Sequence, residues 1–279
     1  MRGEFVDVAG SRLYYYAAGT RVSREPVIFV HGFPSSSYLW RDVVRQMSPG
    51  HRIVVLDQLG FGRSDRPLSM DRSVLSVLAH AGRLRALMDA LGIESACLVG
   101  HAMGGAVAQS LALSWPARVS RLGLVNSVAF DAWPQRAARL ARTLCVIPQI
   151  GRALGVPFLA GLVHGSLLPG FVEKVRARHS LDHYLHAFTA RLGVDVLAAQ
   201  LRAMRDNSVA ALGERLGTIG QPTSVIWGVA DPFLSVRVGA RLRDAIPGAS
   251  LELIAEAGHF SPEDAPDHVA SAIEALLRR

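Results

Sequence analysis

The sequence predicts an α/β protein: a mostly parallel, doubly wound sheet with a helical cap inserted after the sixth strand. Three observations lead to this fold class. Short, continuous apolar runs such as 27–30 and 53–56 recur along the chain. Amphipathic stretches of helical period lie between them, and the alternation stops between about 128 and 212. Repeated strand–helix units are typical of parallel sheets that are covered by helices on both faces.

The predicted elements follow in chain order. Two runs, Phe5–Val8 and Leu13–Tyr16, predict an antiparallel hairpin at the sheet edge. The continuous apolar runs predict six further strands: Val27–Val30, Ile53–Leu56, Cys97–Val99, Leu122–Val125, Ser224–Trp227 and Leu251–Ile254. Apolar residues at helical spacing predict the helices Val74–Leu91, Gly104–Trp115, Val236–Ile246 and Pro262–Arg279.

The segment 128–210 interrupts this pattern. It is rich in Arg and Ala, is punctuated by prolines and shows no strand–helix alternation. We interpret it as a helical cap domain, while 1–127 and 211–279 together form the core. A cap over the sheet would roof a binding site, and its apolar side chains predict a mostly apolar substrate of moderate size.

The composition favours a globular protein and argues against a nucleic-acid-binding or membrane-spanning one. Apolar residues make up 50% of the 279 residues, and the formal net charge of +7 comes almost entirely from arginine. No basic run is interleaved with aromatic residues, so nucleic acid is not an expected partner. No apolar run reaches the length of about 18 residues that spans a membrane, and no signal core is visible. We expect a cytoplasmic monomer or homodimer that binds a small-molecule substrate.

The segment around Ala102 is the most informative in the chain. It follows a predicted strand, opens a predicted helix, and places Gly100 and Gly104 two positions away on each side. This spacing is that of the G-x-S-x-G elbow, a sharp turn that lifts a nucleophile clear of the sheet. Ala102 stands at the nucleophile position, and its methyl group cannot attack carbon.

Four further motifs complete a resemblance to the α/β-hydrolase fold family over nearly the whole chain. They are H-G-F-P at 31–34, D-x-x-G-x-G-x-S at 57–64, an acid-bearing loop at 227–231 and G-H-F at 258–260. The order of nucleophile position, acid and histidine is the order of the family.

The resemblance implies roles for individual residues. His259 would be the general base, and Asp231 would hold its tautomer and stabilise its charged form. The backbone amides of Met103 and Phe33 would bind a developing oxyanion.

The resemblance implies no cofactor. Cys97 and Cys145 do not have the spacing of metal ligands. His179, His183 and His186 lie at helical spacing in the predicted cap, but no carboxylate completes a metal site there.

Two explanations of Ala102 are open. In the first, which we favour because every other motif is intact, a parent Ser or Asp was replaced and the chain is an inactive nucleophile variant. In the second, the alanine is natural, and the chain is a lyase- or cyclase-type enzyme with His259 as general base, or a small-ligand binding protein.

The parent nucleophile sets the reaction class. A serine in this elbow resembles esterases and predicts ester or lactone hydrolysis, whereas the H-G-F-P region resembles epoxide hydrolases, which use Asp. Phe33 and Met103 stand where dehalogenases carry Asn and Trp, so dehalogenation is not expected. Trp133, Tyr184 and Phe260 are the predicted substrate contacts.

Overall fold

The computed structural model describes residues 3–19, 25–47, 49–67, 69, 71, 73–132, 161–189, 193–203 and 208–279. Eight strands form one sheet: β1 Gly3–Val8, β2 Ser11–Ala18, β3 Val27–Val30, β4 Ile53–Leu56, β5 Ala96–His101, β6 Val119–Val125, β7 Thr223–Gly228 and β8 Ser250–Ile254. Besides the helical residues 161–167, the described part of the chain has nine α-helices: α1 Arg41–Met47, α2 Val77–Ala90, α3 Met103–Ser114, α4 Lys174–His186, α5 Gly193–Ala203, α6 Ser208–Gly213, α7 Val236–Ala245, α8 Ser261–Asp264 and α9 Pro266–Leu277.

The sheet is mostly parallel, as the apolar runs predict. Its order is β1-β2-β4-β3-β5-β6-β7-β8, with β1 and β2 forming the predicted antiparallel hairpin at one edge. The pairing of β2 with β4 is also antiparallel, and every pair from β4 to β8 is parallel. All residues of β3 and β4 are buried, because helices cover both faces of the sheet at its centre.

Helix α2 shows how sequence sets the bounds of these elements. It begins after Ser76, whose side chain accepts a hydrogen bond from the Ala79 amide at 3.2 Å, so the helix starts three residues later than predicted. A serine at this position satisfies an amide that has no partner within the helix.

The predicted helix 262–279 is wrong as a single element. The structure divides it into α8 and α9, with Ala265 between them at φ −140° and ψ 62°. A residue before proline is driven out of the helical region, and Pro266 follows directly. We expect Val269, Ile273, Leu276 and Leu277 of this stretch to pack in the core; the first three are buried, and Leu277 is partly buried against the core.

The described part of the chain between residue 160 and β7 is mainly helical and contains no strand. It comprises helical residues at 161–167, then α4, α5 and α6. This agrees with a helical cap inserted after the sixth strand, and the exact cap boundaries at 128 and 210 stay a prediction. In the part of the chain that is described, no helix is long and apolar enough to cross a membrane.

Candidate active site

Ala102 lies in the sharp turn between β5 and α3. Its backbone has φ 49° and ψ −116°, a conformation that residues other than glycine rarely adopt. Its amide donates to the carbonyl oxygen of Val125 at 3.2 Å, and its carbonyl accepts from the amide of Val128 at 3.0 Å. The end of β6 therefore holds the turn from both sides, and the surrounding structure stabilises a strained nucleophile elbow.

Close backbone approach explains the glycines on either side of Ala102. A β-carbon at Gly100 would lie 2.3 Å from the carbonyl oxygen of Gly104. A β-carbon at Gly104 would lie 2.3 Å from the carbonyl oxygen of Val30 in β3. Steric exclusion thus sets the glycine spacing of the turn, whatever residue occupies its centre.

His259 and Asp231 meet in the loops that follow β8 and β7. His259 Nδ1 lies 2.7 Å from Asp231 Oδ2, and the two side chains are 4% and 0% exposed. Asp231 Oδ1 accepts hydrogen bonds from the backbone amides of Phe233 and Leu234 at 2.8 and 3.0 Å. Because an ionised carboxylate can only accept, this pair places the imidazole proton on Nδ1 and leaves Nε2 as the acceptor.

The electrostatics of Asp231 favour its ionised form. Burial by itself raises the pKa of this carboxyl group. The charge and hydrogen bond of His259, together with the amides of Leu234 and Phe233, outweigh burial, so the pKa of Asp231 is lowered. An ionised Asp231 can stabilise His259 when the imidazole takes up a proton.

Two other histidines near the elbow have structural partners. His101 Nε2 donates to the carbonyl oxygen of His259 at 2.9 Å, and burial lowers the pKa of His101 to about 3. His31 Nδ1 donates to the carbonyl oxygen of Gly32 at 2.8 Å, while its Nε2 accepts from the amide of Gln58 at 3.0 Å. Both rings are fully buried and are bonded to backbone.

The loop after β3 meets the elbow at Gly32, next to the predicted oxyanion residue Phe33. A β-carbon at Gly32 would lie 2.7 Å from Ala102 Cβ and 3.2 Å from the amide nitrogen of Met103. The Met103 amide opens α3, where the helix dipole favours negative charge. Among the described residues, none accepts a hydrogen bond from the amides of Met103 or Phe33. The absence of a side chain at Gly32 leaves space beside the elbow.

The 57–64 motif supports this loop. Asp57 accepts hydrogen bonds from the amides of Ser37 at 2.6 Å and Arg63 at 2.8 Å. Ser64 Oγ donates to the Asp57 carbonyl oxygen at 2.5 Å and accepts from the amide of Tyr14 at 2.9 Å. The motif thus holds the loops after β3 and β4 together, because its polar side chains form hydrogen bonds with backbone groups.

Comparisons with known proteins agree with this fold. The family described as alpha/beta hydrolase fold matches residues 25–147. A 2-hydroxy-6-oxononadienedioate/2-hydroxy-6-oxononatrienedioate hydrolase of Paraburkholderia xenovorans is 32% identical over 263 residues, which cover 90% of this chain and 85% of that protein. The chain belongs to the α/β-hydrolase fold family.

Other similar proteins differ in their named reactions. Epoxide hydrolase 4 of Mus musculus is 27% identical to this α/β-hydrolase over 97% of this chain and 77% of that one. An enol-lactonase from Burkholderia xenovorans superposes with a TM-score of 0.80 at 22% identity, covering 99% of this chain and 100% of that one. The latter likeness shows the fold alone.

The predicted substrate contacts have protein partners wherever the structure describes them. Tyr184 of α4 is 1% exposed, and its hydroxyl donates to Glu263 Oε1. Phe260 is fully buried, with its ring stacked on Phe171 at a centroid distance of 4.1 Å. Trp133 lies outside the described residues. The role of all three in substrate binding stays a prediction, and the Tyr184 hydroxyl is already engaged.

Glu263 is a buried charge that sequence reasoning missed. Its Oε2 lies 2.8 Å from Arg41 Nη2 and accepts a hydrogen bond from Ser180 of α4, while Oε1 accepts from Tyr184. Burial raises the pKa of Glu263 more than Arg41 and the two hydroxyls lower it. Glu263 therefore ties the cap of this α/β-hydrolase to the helix that follows His259. No spacing in the sequence indicated this pairing.

Asn126 is the second residue that the sequence did not single out as part of the site. It directly follows β6, is fully buried and donates through Nδ2 to Asp231 Oδ2 at 2.8 Å. Its position directly after a predicted parallel strand could have indicated a site residue, because side chains that follow neighbouring parallel strands meet at one edge of the sheet.

Proposed function

We propose that the chain is a hydrolase for a small, mostly apolar ester-, lactone- or epoxide-like substrate, inactivated at its nucleophile by Ala102. The observation that carries the proposal is the His259–Asp231 pair at 2.7 Å, retained together with a strained elbow that presents only a methyl group. A buried acid–histidine pair of this kind serves to take a proton from a nucleophile.

Each part would act in a defined step. A Ser or Asp at position 102 would attack the substrate, and the amides of Met103 and Phe33 would stabilise the oxyanion formed from an ester or lactone. His259 Nε2 would take the proton from serine, or from the water that hydrolyses an intermediate on aspartate. Asp231 would stabilise the imidazolium. The chain would need no metal or cofactor for these steps.

The decisive experiment replaces Ala102. Purified Ala102→Ser and Ala102→Asp variants are assayed against a panel of p-nitrophenyl esters, lactones and epoxides, beside the unmodified chain. We expect one of the two to turn over substrate and the unmodified chain to remain inactive. The ester and lactone arms test serine chemistry, and the epoxide arm tests aspartate chemistry.

The matched control adds His259→Gln to each active variant, and it should abolish the gained turnover. If neither Ala102 variant acts on any substrate of the panel, the proposal that Ala102 replaces a parent nucleophile is contradicted. Turnover by the unmodified chain that is lost in His259→Gln would instead favour the nucleophile-free enzyme, with His259 as general base.

A further inference from the structure

Asn126 joins the three loops that end β6, β7 and β8. Its amide Nδ2 lies 2.8 Å from Asp231 Oδ2, in the loop after β7. Its Oδ1 accepts from the amide of Gly228 at 3.0 Å and from Ser261 Oγ at 2.8 Å. Ser261 lies two residues after His259, so one buried side chain touches both loops that carry the acid–histidine pair.

The hydrogen-bond partners fix which way the Asn126 amide points. The backbone N–H of Gly228 can only donate, so the atom that faces it must be the oxygen. The NH₂ group must then face Asp231. Asn126 is fully buried and its backbone has φ 40°, so the surrounding structure holds this residue in place.

With this donor, Asp231 has a complete set of partners. Oδ1 accepts from the amides of Phe233 and Leu234, and Oδ2 accepts from Asn126 and His259. Among these four donors only the imidazole of His259 is an ionisable group. Asn126 is the one side-chain donor in this set that keeps its proton whatever the state of the imidazole.

We propose that Asn126 is a positioning residue: it holds Asp231 Oδ2 in the orientation that keeps the His259 proton on Nδ1. The effect on turnover rests on the proposed function, whereas the effect on the imidazole proton exists in the chain as it stands. An alternative role, in which Asn126 only satisfies the buried amide of Gly228, would leave the imidazole unchanged when the donor to Asp231 is removed.

The test reads the His259 ring by ¹⁵N NMR above neutral pH, with its signals assigned through His259→Gln. It compares the chain with Asn126→Ala, Asn126→Asp and Ser261→Ala. Ser261→Ala is the matched control, because it removes one buried hydrogen bond to Asn126 Oδ1 and leaves the bond from Nδ2 to Asp231. Circular dichroism and thermal unfolding check that each variant is folded.

We expect the chain and Ser261→Ala to hold the proton on Nδ1 with slow solvent exchange. In Asn126→Ala, the Nε2–H tautomer should appear, and Nδ1–H should exchange about tenfold faster or more, by analogy with the loss of affinity or activity when an outer partner of a metal-binding histidine is removed. Protection in Asn126→Ala equal to that of the chain, or an equal loss in Ser261→Ala, overturns the proposal.

Asn126→Asp keeps the test decisive if the alanine variant does not fold. Two carboxyl groups this close cannot both ionise easily, so one keeps its proton to raised pH and takes the place of the Nδ2 donor. Nδ1–H should stay protected below that ionisation and lose protection above it. No such step in Asn126→Asp would count against the role of the donor.

A second arm measures turnover in the Ala102→Ser background. Asn126→Ala should lower kcat by about 10- to 100-fold with KM changed less than about threefold, while Ser261→Ala keeps kcat within about threefold. If Ala102→Ser has no activity, the proposed function fails, and the NMR arm still decides the role of Asn126.

Discussion

Two buried carboxylates in this protein have opposite electrostatic outcomes. Asp231, at the end of the sheet, and Glu263, between the core and the cap, both have side chains that are 0% exposed. The pKa of Asp231 is lowered, whereas that of Glu263 is raised. Burial acts in the same direction on both, so their partners make the difference.

The partners differ in kind. Asp231 is paired with an equally buried imidazole and with two backbone amides of its own loop. Glu263 is paired with Arg41, whose side chain is 20% exposed, and with two neutral hydroxyl groups from α4. The backbone amides and the buried imidazole offset the desolvation of Asp231. The partly exposed guanidinium and the two hydroxyl groups do not fully offset the desolvation of Glu263. The first region is therefore suited to chemistry, and the second holds two parts of the fold together.

The largest expected effect tests the chemical side of this comparison. In an active Ala102→Ser background, Asp231→Asn should lower kcat by about 10⁴-fold, as loss of the correct histidine tautomer does in serine proteases. The amides of Phe233 and Leu234 require an oxygen, so the new NH₂ group would face His259 Nδ1 and drive its proton to Nε2. Steady-state kinetics measure this loss.

The control for that loss is Glu263→Gln in the same background, which should retain kcat within about tenfold because Glu263 does not touch His259. An equal loss of kcat in both variants would contradict the conclusion that Asp231 acts in chemistry and Glu263 only in structure.

The next effect concerns stability. Glu263→Ala leaves Arg41 without its buried partner, and it removes the acceptor of two hydroxyl groups. We expect the free energy of unfolding to fall by about 3–5 kcal/mol, measured by urea denaturation. Asp131→Ala, which removes an ion pair with Arg241 at 3.5 Å between side chains that are 87% and 61% exposed, is the surface control and should cost no more than about 1 kcal/mol.

A smaller effect tests a single hydrogen bond of the cap. Tyr184→Phe removes the hydroxyl that donates to Glu263 and keeps the buried ring. Unfolding should become easier by about 1–3 kcal/mol, because a buried carboxylate loses one of its donors. If Tyr184 instead contacts substrate, KM in the Ala102→Ser background would rise while stability stayed unchanged.

The smallest effect is in the pH dependence of stability. A carboxyl group whose folded-state pKa is raised favours folding at acid pH, and this contribution is lost as pH rises through that pKa. The sign for Asp231 is opposite, because its lowered pKa stabilises the fold above the ordinary value of about 3.9. Replacing Glu263 by Gln removes only the first contribution.

Thermal unfolding between about pH 4 and 7 measures this difference. The stability advantage of the chain over Glu263→Gln should shrink as pH rises, because ionisation of the buried Glu263 opposes folding. A constant or growing advantage over this range would mean that Arg41 fully compensates the burial of Glu263.

The sequence predicted most of the fold and the separated parts of the site. The apolar runs 27–30 and 53–56 coincide with β3 and β4, because strands buried on both faces leave an unbroken apolar signature. The elbow around Ala102 could be predicted because close backbone contacts require glycine at positions 100 and 104. The helix break at Ala265 was missed because helical periodicity continues on both sides of Pro266.

The sequence by itself determined the order of the strands' apolar runs, the alanine at the centre of the elbow and the loops that carry Asp231 and His259, since local spacing along the chain specifies each of them. Only the tertiary structure decided that Asn126 faces Asp231 and that Glu263 is buried against Arg41 and α4. The residues joined are 105 positions apart for Asn126 and Asp231, 83 for Ser180 and Glu263, and more than 200 for Arg41 and Glu263. No local pattern encodes them, because they arise only when the loops at the strand ends and the cap helix are brought together.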